Sequence, residues 1–114
     1  MSRVERMVLD IRGPRDLRSL DRLPASLRFT AMVLSGFKYG RLDMVLPDAR
    51  TLRFTGKEAG PEAEMIVHDQ TFARTVAARG DIGFAEVFMD GKFDSPDLAT
   101  LLEYFSINWD DLGT

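Results

Sequence analysis

Residues 80–98 read GDIGFAEVFMDGKFDSPDL, nineteen positions that hold five acidic side chains, three glycines and three phenylalanines. In DIGFAEVFMD, Ile82, Ala85 and Phe88 or Met89 recur at helical intervals with Phe84 and Val87 beside them, which predicts a helix with most of its bulk on a core. DGK reads as a turn, because Gly91 tolerates positive φ and the Asp90 carboxylate can accept a bond from the backbone that follows it. KF is a short extended piece. In DSPDL, Ser95 is placed to cap a helix, with Pro96 at its first position and Asp97 near the positive end of its dipole. Leu98, Leu101, Leu102 and Phe105 then form the apolar stripe of a closing helix. The stretch is thus read as a helix, turn and helix scaffold whose acids need no chemistry of their own.

Working outward, QTFARTVAAR at 70–79 predicts a helix with Phe72 and Val76 inward, Asp69 as its N-cap and Gly80 as its stop. AEMIVHD at 63–69 predicts a strand after a polar loop, GKEAGPE. His68, at the end of that strand, has no second histidine or cysteine to join it at a metal and reads as structural. RLDMVLP alternates Leu42, Met44 and Leu46 against Arg41, Asp43 and Val45, PDAR turns, and TLRFT alternates Leu52 and Phe54, which together predict a β-hairpin.

Before Gly40 the texture is helical. Val4, Met7, Val8 and Ile11 fall at helical spacing; so do Leu17 and Leu20, with Arg15, Arg18 and Arg22 on another face. A third helix puts Leu27, Ala31 and Leu34 on one stripe, flanked by Met32 and Phe37. The expectation is therefore one α+β domain over 1–114: a basic helical head at 1–39, then hairpin, strand and helices at 40–114. Its sheet would be small, mainly antiparallel and packed with helices.

Composition narrows the chemistry. The chain has 114 residues, 45% of them hydrophobic and 29% charged, and no cysteine, which removes thiolate catalysis, disulfides and Cys-based metal sites. Its longest apolar runs, such as AMVL at 31–34, fall far short of the ~20 residues a membrane helix needs. MSRVERMVLDIRG does not read as a secretory signal, and a cytoplasmic location is expected. Net charge is −3, split as nine basic against four acidic residues over 1–41 and six against fourteen over 42–114, that is +5 and −8. Such a split suits either an anionic partner for the head or attraction between the two halves.

Catalytic and metal readings of 80–98 fit poorly. A calcium loop needs oxygen ligands at its first, third and fifth positions and glycine at its sixth, whereas DGKFDSPD has glycine second. Glu86 and Asp90 stand four apart on a helix, a spacing as common on a solvated face as in an acid–base pair. RGD at 79–81 straddles a helix end and reads as chance.

Gly80, Gly83, Glu86, Phe88, Met89, Asp90, Gly91, Phe93, Asp97 and Leu98 resemble the pattern G-x-x-G-x-x-E-x-Y-M-D-G-x-W-x-x-x-D-L of the cyclopropane-fatty-acyl-phospholipid synthase family. Phe88 stands for tyrosine and Phe93 for tryptophan. GRLDMVLPDARTLRFTG and EAEMIVHD are also similar to the N-terminal region of that family, so the resemblance covers roughly residues 30–108. It implies the accessory N-terminal domain of an S-adenosylmethionine-dependent methyltransferase that acts on unsaturated phospholipid acyl chains. Methyl transfer in that family belongs to a larger Rossmann-like domain with a glycine-rich loop, and this chain carries no G-x-G-x-x-G after a strand. No catalytic, cofactor-binding or metal-ligating residue is therefore assigned, and S-adenosylmethionine is implied for the parent enzyme alone.

The partners so implied are a catalytic methyltransferase domain and an anionic phospholipid surface, with a homodimer also open and no nucleic acid. Arg15, Arg18 and Arg22, preceded by Arg3, Arg6 and Arg12, are candidates for the lipid surface, or for pairing with carboxylates of this chain or of a catalytic domain. The same region also resembles sterol-carrier-like domains. Phe72, Phe84, Phe88 and Phe105 would accordingly line an acyl groove or fill the core. A free-standing lipid carrier and a structural dimerisation module are the alternatives.

Overall fold

The structure, a computed structural model, describes residues 7–18, 20 and 22–112. The elements run β1 (Met7–Asp10), α1 (Pro14–Arg18), α2 (Ala25–Ser35), β2 (Tyr39–Val45), β3 (Arg50–Thr55), β4 (Glu58–Val67), α3 (Phe72–Met89), β5 (Phe93–Asp94) and α4 (Leu98–Leu112). This is the expected α+β class. The five strands form one sheet in the order β1-β3-β2-β4-β5. It is mixed: β2–β3 and β4–β5 are antiparallel, while β1–β3 and β2–β4 are parallel.

The hairpin forms as the alternation predicts, with Leu42 opposite Phe54 and Met44 opposite Leu52, all four buried. Each such side chain contributes roughly 1.5–3 kcal/mol by leaving water. The sheet buries this one face, and the helices lie on it, α4 against β4 and β2. The opposite face carries Arg41, Asp43, Arg53, Glu62 and Glu64. There Arg53 grips Asp43 with two parallel bonds of 2.9 and 3.0 Å, and Arg41 meets Glu62 at 3.2 Å. The hydrogen bond to Asp43 and that carboxylate's charge hold the Arg53 guanidinium above its ordinary pKa.

Three expectations fail, two of them where the chain pairs with itself at a distance. Residues 7–10 are a strand and not part of a helix: Val8 lies opposite Thr51 and Leu9 opposite Leu52, so the free edge of β3 supplies hydrogen bonds that a helix of this length could not match. Val4, Arg3 and Arg6 lie outside the described residues. The polar loop expected at 56–62 shrinks to Gly56 and Lys57, because β4 already starts at Glu58. Arg22 is not on a helical face with Arg15 and Arg18. Helix α1 ends at Arg18, and Arg22 has φ 57°, a turn that redirects the chain toward α2.

In the two residues between β3 and β4 the chain passes from one side of β2 to the other. The Gly56 N–H donates to Gly40 O at 2.8 Å and the Glu58 N–H to Lys38 O at 2.9 Å. A Cβ on Gly40 would lie 2.2 Å from Pro61 O, and one on Gly56 2.2 Å from Lys38 O, so in each contact a glycine admits a backbone that a side chain would block. The β2–β4 register jumps from Tyr39 opposite Glu58 to Arg41 opposite Glu62, a bulge around residues 59–61 that absorbs Pro61.

Helix α2 buries Leu27, Ala31 and Leu34 as its spacing predicts, while Met32 is exposed. The Arg28 guanidinium donates to Leu17 O at 2.7 Å and to Leu20 O, tying α2 to the end of α1 and adding to the bond that Leu17 O takes from the Leu20 N–H. One arginine of the basic head is thereby used inside the fold.

Glycine conformation supplies a paired prediction. Gly40 has φ 82° in a crowded crossing, and Gly91 has φ 74° with nothing within 4 Å of an added Cβ. Gly91→Ala is expected to cost about 1 kcal/mol in urea unfolding, and Gly40→Ala roughly 3 kcal/mol or more, since strain and backbone collision add. Equal losses would mean that the crossing is not as close as described.

Candidate functional site

Helix α3 contains a change of direction that the sequence half reveals. Gly80 has the positive φ expected of a helix stop (58°, with ψ −132°), yet helical bonding resumes at once, so α3 is two segments joined at a kink. Gly83 lets the second segment fold back: its Cβ would sit 2.5 Å from Thr75 O. Arg79 and Glu86 bridge the kink at 2.9 Å. The turn around the kink carries Ile82 into solvent, 64% exposed, where the helical spacing had placed it inward.

The helix starts are set by carboxylates. Asp69 accepts from the Thr71 hydroxyl at 2.6 Å and from the Thr71 N–H at 2.9 Å, so it closes a turn one step ahead of α3 while Thr71 itself flanks the helix. At α4 the cap is Asp97, not Ser95: Asp97 takes the Thr100 hydroxyl at 2.6 Å and the Thr100 N–H at 3.1 Å. The Ser95 hydroxyl donates to Glu64 O at 2.6 Å, tying the helix entry to β4, while its oxygen accepts from the Asp97 N–H at 3.4 Å. Both carboxyls lie below the usual range, held there first by the hydroxyl bond and then by the N–H bond. Their stabilising effect is therefore present at neutral pH and fades as pH falls through the folded values.

Helix α4 buries Leu101, Tyr104 and Asn108, while Leu102, expected inward, is 47% exposed. The Asn108 side chain, 1% exposed, accepts from the Tyr39 N–H and donates to Tyr39 O and Tyr104 O, all at 2.8 Å. It braces α4 against the start of β2, one residue before the glycine crossing. Burial also raises the pKa of the Tyr104 phenol. Sequence spacing missed both residues because a buried tyrosine and asparagine interrupt the apolar stripe.

These helices do not close completely over the sheet. Between α2, α3 and α4 lies an apolar pocket of about 660 Å³ with Met44 and Met65 in its lining. All four phenylalanines singled out in the sequence, Phe72, Phe84, Phe88 and Phe105, line it. The rings are interlocked with their neighbours: Phe84 stands 4.9 Å from Phe93 and 5.2 Å from Phe105, and Phe88 5.5 Å from Phe93. Phe72 is 2% exposed and belongs to the core as well. The two readings of these rings are thus compatible, since one ring face packs inward while the other walls a space.

At the mouth, Phe29, Met89, Leu102 and Trp109 are exposed by 53%, 75%, 47% and 56%. Among the described residues of the lining, Asp110 is the one ionisable side chain, and Thr30 and Ser106 supply the hydroxyls. The Thr30 hydroxyl already donates to Ser26 O at 3.0 Å. Apolar and aromatic side chains make up most of this lining. Sequence reading missed the α2 wall, Phe29, Thr30 and Val33, and the Trp109 rim. Their signal was an apolar residue on the outer face of an amphipathic helix.

Elsewhere, Arg15, Arg18 and Arg22 are exposed and do not line this pocket. His68 is exposed just past β4, where its N–H donates to Lys92 O. Among the described residues no three of His, Asp and Glu gather closely enough to hold a metal ion. Among the same residues no helix is long and apolar enough to cross a membrane. Compared with protein-family models, curated proteins and solved structures, the chain matches none.

Asn108→Ala would leave the Tyr39 backbone groups without their partner and is expected to cost about 2 kcal/mol or more. Unchanged thermal unfolding of that variant would show that α4 is held by its apolar contacts alone.

Proposed function

We propose that this chain is an acyl-chain-binding accessory domain that presents unsaturated phospholipid chains to a cyclopropane-synthase-like methyltransferase and is not catalytic by itself. The observation that carries the reading is the pocket of about 660 Å³ walled by Phe72, Phe84, Phe88 and Phe105. Pockets of roughly 300–1,000 Å³ are the size that encloses small ligands. Each methylene moved from water into such a lining gains about 0.8 kcal/mol. Gly80, at the α3 kink, is part of the lining.

The motif similarity at residues 80–98 adds the parent family. Its glycines fall at the structural joints of the pocket: Gly80 at the kink, Gly83 at the fold-back and Gly91 at the turn into β5. The pocket does not suit S-adenosylmethionine, whose sulfonium, ribose hydroxyls and amino-acid group require buried polar partners, and the methyl donor is assigned to a separate domain. Methyl transfer itself would take place there, on a chain that this domain holds out of water. Arg15, Arg18 and Arg22 remain candidates for meeting an anionic lipid surface, as a cluster of exposed cations and not as one helical face.

The exposed apolar rim also favours a second reading, in which Phe29, Met89 and Trp109 seat a catalytic domain or a second copy of the chain. A doubled mass in light scattering, with no lipid in an organic extract, would support the second copy.

Trp109 is the single tryptophan and stands at the rim, so its emission reports occupancy directly. Titration with 1-oleoylglycerol is expected to shift that emission to the blue with saturation. Ala85→Phe, which places a ring at an exposed lining position, is expected to weaken the affinity about tenfold with little change in melting temperature. No saturable response in the native chain would overturn the acyl-binding reading.

A further inference from the structure

The apolar pocket between α2, α3 and α4 has one electrical sign where it meets the end of α4. Three of its lining rings are gathered on that side: Phe37 stands 6.3 Å from both Phe105 and Trp109, at interplanar angles of 80° and 85°, so two rings are set nearly upright against the third. The faces of such rings carry the negative part of the aromatic quadrupole. Along α4 the lining continues with Ser106 and Asp110, four residues apart and so on the same side of the helix, and both are exposed. The helix end adds the same sign. Free carbonyls make a helix C-terminus negative and a basic residue in the last turn offsets it, but the last turn of α4 has none. Among the described residues of the lining there is no Lys, Arg or His. Arg12, Lys38 and Lys57 line a separate cavity, and Phe37 is the one described residue that the two cavities share.

We propose that the pocket takes a cationic amphiphile, an alkyl chain that ends in an ammonium group, with the chain inside and the ammonium at Asp110. The inference rests on the reading of the pocket as a site for a long apolar chain and adds the charge of the end that stays at the mouth. An ammonium has only N–H donors to offer; the Asp110 carboxylate only accepts, and the Ser106 hydroxyl oxygen can accept as well. A carboxylate end would meet Asp110 as a like charge. Its side-chain donors would be the Trp109 indole and the hydroxyls of Ser106 and Thr30, and the Thr30 hydroxyl is already given to Ser26 O. A cation within about 6 Å of a ring face is attracted by the quadrupole, most strongly by an indole. Trp109 precedes Asp110 at this rim and is 56% exposed, so its ring is open to such a contact.

Fluorescence titration of Trp109 in the full chain tests this with three dodecyl probes, each below its micelle-forming concentration at neutral pH: dodecylammonium, 1-dodecanol and dodecanoate. Dodecylammonium is expected to bind about fivefold more tightly than the alcohol, through an exposed ion pair and a cation–ring contact acting together, and dodecanoate more weakly than the alcohol. Asp110→Asn should cut the advantage of the cation to about twofold, the share left to the rings. The same variant should bind 1-dodecanol as the native chain does, which shows that it is folded. Glu103→Gln removes an exposed carboxylate of α4 outside the lining and should keep the full advantage, which separates the site from general attraction to a chain of net charge −3. Equal affinity of the native chain for the cation and the alcohol, or tighter binding of dodecanoate, would overturn the inference and leave the apolar pocket standing. So would an equal loss of preference in Glu103→Gln and Asp110→Asn. If none of the three probes binds, the apolar-chain reading falls, and this inference with it.

Discussion

The contact between Gly40 and the segment of β4 around Pro61 is the constraint on which the rest of the structure depends. It lets the chain leave β3, pass the start of β2 and return as β4 on the other side with only Gly56 and Lys57 between strands. Ordinarily, antiparallel neighbours follow from short connections and parallel ones need long crossovers. Here a crossing without side chains replaces the crossover, and β2 becomes a central strand with an antiparallel neighbour on one side and a parallel one on the other. The five-strand width that results is what three helices can lie across. It is also why Tyr39 needs the side chain of Asn108: the backbone next to the crossing has sheet partners for only part of its hydrogen bonding.

From that platform the pocket follows by geometry. Helix α4 is fixed at both ends, by Ser95 and Asp97 at its start and by Asn108 near its finish. Helix α3 is fixed at its first turn by Asp69 and at its exit by Gly91, but bends at Gly80 in between. A straight helix of this length would lie flush on its neighbours; a bent one leaves space beneath the bend. Aromatic rings wall that space because flat side chains can pack on one face and present the other.

Much of this was legible in the sequence, and the failures share a cause. The hairpin, α2 and the turn at Gly91 follow from local periodicity and turn chemistry, and the structure repeats them residue by residue. The four phenylalanines stand at core spacing and read as a groove only through the resemblance to sterol-carrier-like domains, since spacing cannot distinguish a filled core from a lined cavity. What local pattern could not supply was pairing at a distance. Residues 7–10 carry a helical spacing but meet the free edge of β3; residues 58–62 look like a polar loop but meet β2. Ser95 has the better sequence position for a cap, yet α4 starts at Leu98 with Asp97 as its cap, and the Ser95 hydroxyl ties the entry to Glu64 O, thirty-one residues away.

The central claim is that an acyl chain enters the space between α2, α3 and α4. It is tested most directly by nuclear Overhauser contacts between ¹³C-labelled oleoyl methylenes and the aromatic protons of the protein. The account predicts contacts from the chain to the rings of Phe84, Phe88, Phe105 and Trp109 together. Contacts confined to Phe29 and Trp109 at the rim, with none to Phe84 or Phe105, would contradict it.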